Sequence, residues 1–484
     1  MNTWTRREFT KSLAATGALM TGALAGFPGR ARAAVPNPHD VVVDELQISY
    51  EDFLYRTPIK FGGNVLDRVT LQNVRCTLHD RSGKVAHGFG SMPLGNVWSW
   101  PSHVLKYADT LAAMKRLGEQ VAKLTTGYKE FGHPIEINVA LEPAYFQAAA
   151  DLSAKLAEPI PKLCSLVTIS PFDAAIHDAY GKLNGLNCYR TYGPDFLARD
   201  LSDFLGAEFR GEHLDRYVLQ EPKQRMPLYH LIGALDPLEE QDIVKKVGDG
   251  LPETLTEWIP FNGLTHLKIK LNGSDLKWDV ERVLRVERTT AAAQQKRGAK
   301  QWVYSADFNE KCPSVEYLLA FLRQVKEQAP PAFERLQYVE QPTKRDLKAD
   351  RANVMTEASK LKPVVIDESL TDQEALMLSR EMGYTGVALK ACKSQSQALL
   401  MAAVAQKYKM FLCVQDLTCP GASLLHSAGI SAHIPGVAAI EANARQYCPA
   451  ANEPWVKKFP DIFIVKEGTM GTACLNKPGL GVVD

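Results

Sequence analysis

A closed α/β barrel preceded by an α+β region is the fold the sequence predicts, on three observations. From Met226 onward short apolar runs alternate with helical segments, and eight such runs cover residues 228–232, 267–271, 302–306, 336–339, 364–366, 386–389, 410–414 and 437–440. Their starts lie about 22 to 39 positions apart, the length of a strand with its returning helix, and eight repeats suit a closed ring better than an open sheet. The residues ahead of Met226 lack this alternation and mix β-rich runs, turns and amphipathic helices.

Residues 1–33 read as an export signal and are set apart from the fold. Thr5-Arg6-Arg7-Glu8-Phe9-Thr10-Lys11 resembles a twin-arginine motif, and Ala31-Arg32-Ala33 offers a small-x-small cleavage site. The apolar stretch between them, residues 12–27, is too short and too interrupted to span a bilayer. The mature chain is therefore expected to start near Ala34 and to be periplasmic or exported by the twin-arginine route. Hydrophobic residues at 45%, charged residues at 23% and a net charge of +1 describe an ordinary globular chain. That balance gives no electrostatic case for nucleic acid or a membrane surface as partner. Nine cysteines without a C-x-x-C pair exclude a zinc knuckle and a dithiol motif, and most sit in apolar contexts as core thiols.

Taken in order, residues 41–87 predict strands and turns, with Val41-Val42-Val43 and residues 69–76 as the β-rich runs. Residues 55–63, with Pro58 and the Gly62-Gly63 pair, predict a loop between them. Residues 88–102 predict a second loop, carrying Trp98 and Trp100, which serves either as a substrate lid or as packing against a neighbouring domain. Val104, Ala108, Leu111, Met114, Leu117, Val121 and Leu124 recur at helical spacing. Ser170-Pro171-Phe172-Asp173 reads as the start of another helix, with Ser as N-cap, Pro at the first helical position and an acid in the first turn. The polar stretch 206–224 reads as a boundary.

The chemistry gathers at the strand ends. In His266-Leu267-Lys268-Ile269-Lys270-Leu271, strand alternation points Lys268 and Lys270 the same way, roughly 7 Å apart. Two like charges so placed need an anionic partner, from the protein or from a carboxylate ligand, if they are not simply solvated on an edge strand. Further runs end in Asp307, Glu340, Asp367 and Lys390. A parallel barrel carries its active site on this face, and three carboxylates converging from neighbouring strands form a hard oxygen site suited to Mg²⁺.

Lys268-Ile269-Lys270, Asp307-x-Asn309, Glu340-Gln341-Pro342, Asp367-Glu368-Ser369 and Leu389-Lys390, in this order, resemble the enolase superfamily, in the lysine–lysine branch of muconate-lactonizing enzyme and dipeptide epimerases. Arg56-Thr57-Pro58 with the glycine pair resembles that family's mobile specificity loop. Residues 174–182 resemble its signature helix, and Lys477-Pro478-Gly479-Leu480-Gly481 its C-terminal return. The resemblance implies a (β/α)₇β TIM-like barrel over residues 226–452 and an α+β capping domain over 41–210, completed by 455–484. It implies that Asp307, Glu340 and Asp367 hold Mg²⁺, that Lys268 contacts a substrate carboxylate, and that Lys270 and Lys390 act as acid and base on opposite faces of the α-carbon. Asn309, Asp416, Glu441 and Trp100 are the expected substrate contacts, with Asp416 also a candidate helix cap. Lys393 matches a second lysine of the family and is expected to be structural.

The physics of such a reaction agrees with those roles. A proton beside a carboxylate is very weakly acidic, so its removal needs fixed positive charge and a divalent cation around the enediolate. An amine base must be neutral near pH 7, whereas free lysine titrates near 10.4; neighbouring cations and desolvation close that gap. Two bases on opposite faces give racemisation or epimerisation. The expected function is thus an Mg²⁺-dependent racemase or epimerase of a small-molecule carboxylate, with self-association into a homo-oligomer. Elimination or cycloisomerisation through the same enolate is one alternative, and an exported carboxylate-binding protein without turnover is another. Two departures bear on substrate. The eighth strand reads Glu441-Ala442-Asn443 where dipeptide epimerases carry Asp-x-Asp, and the seventh carries Gln415-Asp416 and no histidine.

Overall fold

The computed structural model describes residues 37–482; the residues expected to form an export signal and its cleavage site lie outside them. Among the described residues no helix is long and apolar enough to cross a membrane.

Three antiparallel strands open the fold: β1 (Val41–Phe61), β2 (Asn64–Asp80) and β3 (Val85–Pro93), in the order β1-β2-β3. The expected loop at 55–63 is instead strand. β1 and β2 form one long hairpin whose two-residue turn is Gly62-Gly63, both at positive φ (50° and 80°), the geometry that a tight hairpin with right-handed strand twist demands. The pairing slips between Leu54 and Ile59, where Pro58 has no N–H to give to a ladder. The other expected loop, from Gly88, also begins as strand, because β3 is pressed against a helix that only glycine admits. A Cβ at Gly90 would overlap the Pro171 carbonyl oxygen, and one at Gly88 would overlap that of Ala175.

The helices of this part are α1 (Asn96–Ser99), α2 (Tyr107–Gly127), α3 (Pro134–Ser153) and α4 (Lys162–Asn184). α2 matches the expected apolar stripe. α4 begins nine residues earlier than Ser170-Pro171 suggested, so Pro171 lies inside it. The carbonyl that Pro171 cannot bond is Val167 O, and the Ser170 hydroxyl donates to it at 2.8 Å, which repairs the gap locally. Both sides of α4 are covered, and all but a few of its residues are buried. α3 was not anticipated; it starts at Pro134 with His133 as N-cap, and Glu136 accepts from the His133 N–H at 3.0 Å.

All eight apolar runs form parallel strands: β4 (Arg225–Ile232), β5 (His266–Lys270), β6 (Val303–Asp307), β7 (Leu336–Glu340), β8 (Val364–Ile366), β9 (Gly386–Leu389), β10 (Phe411–Val414) and β11 (Val437–Glu441). Each pairs with its neighbour in chain order, and β11 closes the ring on β4 through Ile440–Leu228 and Glu441–Tyr229. The expected α/β barrel with an α+β cap is therefore the fold. A last strand, β12 (Thr469–Gly471), pairs antiparallel with β4, after which Leu480 N donates to Asp178 on α4 at 2.8 Å. The barrel interior is filled by Tyr229, Tyr338, Val365, Ala388, Cys413 and Ala439, so it is a packed core with its open end at the carboxyl ends of the strands. All nine cysteines are free thiols.

Candidate active site

The hairpin tip and α1 of the cap close over the carboxyl ends of the barrel strands. Tyr55, Ile59, Phe61, Leu66, Leu94 and Trp98 form the apolar upper wall of a cavity there, and its floor holds Lys268, Lys270, Asn309, Lys390, Asp416, Glu441 and Asn443. The cap sits tightly: a Cβ on Gly62 would lie 3.2 Å from that of Asn309, and only about 50 Å³ of free space remains beneath it.

Lys268 and Lys270 share one side of β5, as alternation requires, and are only 1% and 7% exposed. Their register partners on β6 are Ser305 and Asp307, and Asp307 is in turn opposite Glu340 on β7. Lys268 Nζ reaches Glu340 at 2.9 Å, Glu441 at 3.0 Å, Asp307 at 3.1 Å and the Gln415 amide oxygen at 2.7 Å. Lys270 Nζ donates to Asp307 and, at 3.0 Å, to Asn309 Oδ1. Lys390, 4% exposed, sits across the ring: it contacts Asp367 at 2.9 Å and donates to the Asp416 carbonyl at 3.0 Å. Lys393 holds the Asp367 backbone carbonyl and its carboxylate. β5 and β9 are four strands apart in a ring of eight, so Lys270 and Lys390 approach the cavity from opposite walls.

The charges tune one another. Burial alone would raise the Asp307 carboxyl, but Lys268 and Lys270 outweigh it and hold it well below its usual range. Lys390 and Lys393 do the same for Asp367. Glu340 is pushed well up, by burial first and then by Asp307, with Lys268 only partly offsetting them. Its Oε2 is buried with no hydrogen-bond partner. Burial lowers Lys268 and Lys390, yet the surrounding acids hold both firmly protonated. Among the described residues no group of three or more His, Cys, Asp or Glu side chains stands ready to grip a metal. The three acids are instead each turned to a lysine ammonium.

The expected substrate contacts divide. Asn309, Asp416 and Glu441 border the cavity; Trp100 does not, and lies in a neighbouring groove with Val97 and Pro101, while Trp98 takes the place at the cavity wall. Asp416 is largely consumed as a cap, since it accepts from the backbone N–H of Leu417, Cys419 and Asn443, each at 2.7 Å. Burial and Glu441 still raise its carboxyl to about 6. Glu368, with no signal of its own in the sequence, also reaches the site. Its Oε1 accepts from Trp98 Nε1 at 2.9 Å and from Asn309 Nδ2 at 3.1 Å, and Oε2 is buried without a partner. Strand alternation would turn Glu368 away from Asp367. β8 ends at Ile366, however, and beyond it alternation no longer governs where side chains point.

No family model matches the chain, and no curated protein matches it. Solved structures do. The L-Ala-D/L-Glu epimerase of Bacillus subtilis is similar at a TM-score of 0.58 and 16% identity, over 91% of this chain and 99% of that one. Muconate lactonizing enzyme of Pseudomonas fluorescens is similar at 0.57 and 16%, over 92% and 97%. A dipeptide epimerase of Enterococcus faecalis, solved with Mg and a dipeptide, is similar at 0.59 and 14%, over 92% and 100%. At these identities the likeness establishes the barrel and its cap. The neighbours are enolase-superfamily enzymes.

Proposed function

We propose that the chain is an Mg²⁺-dependent enzyme that removes and returns the α-proton of a small carboxylate, a racemase or epimerase. The observation that carries this reading is the pair Lys270 and Lys390, on strands four apart in the ring and bordering one cavity. Amines on opposed walls serve proton removal on one face of a carbon and delivery on the other.

Asp307, Glu340 and Asp367 fit a hard divalent ion by donor chemistry: all are carboxylates, they come from the ends of three consecutive strands, and Glu340 Oε2 is a buried acceptor without a donor. When bound, Mg²⁺ supplies a Lewis acid that polarises the substrate carboxylate and relieves the lysines of the acids' negative charge. Lys268, encircled by acids and kept protonated, holds a fixed positive charge beside the substrate carboxylate. Lys270, oriented by Asn309, takes or gives the proton on one face, and Lys390, oriented by the Asp416 carbonyl, does so on the other. The cap excludes water from between them. Its apolar wall of Tyr55, Ile59, Phe61, Leu66 and Trp98 favours a substrate whose α-substituent is apolar, with Asn443 Oδ1, a buried acceptor without a donor, left to meet a polar group.

The test is α-proton exchange in D₂O, followed by NMR with Mg²⁺, on N-acyl leucine, N-acyl phenylalanine, mandelate and a set of acid sugars. Exchange without net elimination, fastest among the apolar acids, supports the proposal. Tight binding without exchange points to the binding-protein alternative, and loss of the α-proton together with a β-substituent points to a lyase.

A further inference from the structure

A second polar feature lies on the outer side of the barrel wall, away from the cavity under the cap. Arg445 follows β11 and packs its guanidinium 5.1 Å from the Trp258 ring. Its polar contacts are all neutral: Nη1 donates to the Asn262 side-chain oxygen and Nη2 lies 2.5 Å from His230 Nδ1. Nε is buried with no partner. His230 is itself pushed well down, by burial and then by Arg445, so it is a neutral acceptor. Burial lowers Arg445 to about 9, and no carboxylate among the described residues forms an ion pair with it. Arg445 is half-buried, and a guanidinium drawn even partly from water against neutral groups alone is unfavourable, so an anion is its natural complement.

The groove that Arg445 borders has the shape of such an answer. It encloses about 290 Å³ between the helix Leu255–Asn262 and the C-terminal segment, and it is lined by Trp258, Phe261, Val456, Phe463 and Ile464 with Asn262 beside the guanidinium. Phe261 is 58% and Ile464 48% exposed, so the apolar rim faces solvent with one unanswered cation at its base. We propose that this groove is a binding site for an organic carboxylate with an aromatic or aliphatic body, its head on Arg445 and its apolar body along Trp258 and Phe261. The site is independent of the catalytic reading, since none of these residues borders the cavity under the cap.

The test uses the full-length protein and two probes of equal size, 4-bromophenylacetate and 4-bromophenylethanol. Calorimetry and anomalous scattering from the bromine in soaked crystals report affinity and place. The acid is expected in this groove, with the carboxylate against Arg445 and binding at least tenfold tighter than the alcohol. Arg445→Met is expected to lose that tenfold preference. Phe261→Glu, on the exposed rim where folding is not at risk, is expected to weaken the acid at least tenfold as well. Acid found only under the cap, equal binding of acid and alcohol in the groove, or affinity unchanged in both variants overturns the proposal.

Discussion

Glu368 Oε1 accepts a hydrogen bond from the Trp98 indole Nε1 at 2.9 Å, joining the short cap helix α1 to the end of barrel strand β8. The same oxygen accepts from Asn309, whose own oxygen receives Lys270, and the Trp98 ring lies 4.2 Å from the Lys390 ammonium. One carboxylate oxygen thus orients, through two intermediaries, both lysines of the proposed reaction. Glu368→Ala is expected to slow α-proton exchange from both enantiomers about tenfold to a hundredfold, the usual penalty of misaligned reacting groups, while Mg²⁺ affinity stays within a few-fold. Single-turnover exchange with each enantiomer, beside a metal titration, checks this; an effect on one enantiomer alone contradicts it.

Metal binding is expected to stabilise the fold. The buried acids now answer to lysines, with one Glu340 oxygen unsatisfied, so an ion that binds only the folded chain adds about 2.7 kcal/mol at a hundred times its dissociation constant. Urea unfolding with and without Mg²⁺ measures it. Asp307→Asn is expected to abolish the increment, and the absence of a shift for the parent at millimolar Mg²⁺ contradicts the assignment of the three acids.

The cap and the loop after β9 are pinned by a buried cluster. Asp173 on α4 accepts from Ser394 Oγ, Ser396 N and Ser396 Oγ, and His177 contacts Ser396, Cys188, Tyr192 and Asp173, with His133 stacked edge-on nearby. Burial lowers the His177 imidazole, but Asp173 prevails and lifts it to about 9. A histidine raised above its unfolded value of about 6.5 contributes stability that is complete below that pH and is lost as pH rises through about 9. Asp173 is held below its ordinary value by the same partner, so its share is lost only in acid. Unfolding midpoints between pH 6 and 10 are expected to fall in the parent, on the order of a few kcal/mol, and to flatten in His177→Asn. An equally steep fall in the variant contradicts the assignment.

Gly90→Ala tests the seam between sheet and helix. Its Cβ would run into the Pro171 carbonyl oxygen, with backbone on both sides unable to yield, so a loss of several (~3–5) kcal/mol is expected. Gly127→Ala, at the end of α2, meets nothing within 4 Å and serves as the control. Thermal unfolding of both variants gives the comparison, and equal stability contradicts the described contact.

The barrel was largely legible because its signal is local. Each strand is an apolar run flanked by helical periodicity, and Lys270, Asp307, Glu340, Asp367 and Lys390 sit at or beside a run's end. The cap was less so. β3 reads as a loop because Gly88 and Gly90 are strand breakers by propensity, and only their contact with α4, some 80 positions away, makes them necessary. α4 appears to start at Ser170-Pro171 by the rules of helix capping, while the Ser170 hydroxyl in fact repairs the break within a longer helix. Trp98 and Trp100 are indistinguishable in a run of seven letters; the turn at Asn96–Ser99 aims the first at Glu368 and the second away. Register brings Asp307 opposite Glu340, and alternation places Lys268 and Lys270 beside them.

In the proposed reaction Lys270 and Lys390 serve opposite faces of one carbon. The direct measurement is α-proton exchange in D₂O from each enantiomer of a turned-over substrate, with Mg²⁺, in the parent, Lys270→Ala and Lys390→Ala. Each variant is predicted to lose exchange from one enantiomer by about 10²- to 10⁴-fold and to keep it from the other, with the preference reversed between the two. Loss of the same enantiomer in both variants, or exchange of both enantiomers undiminished in either, contradicts it.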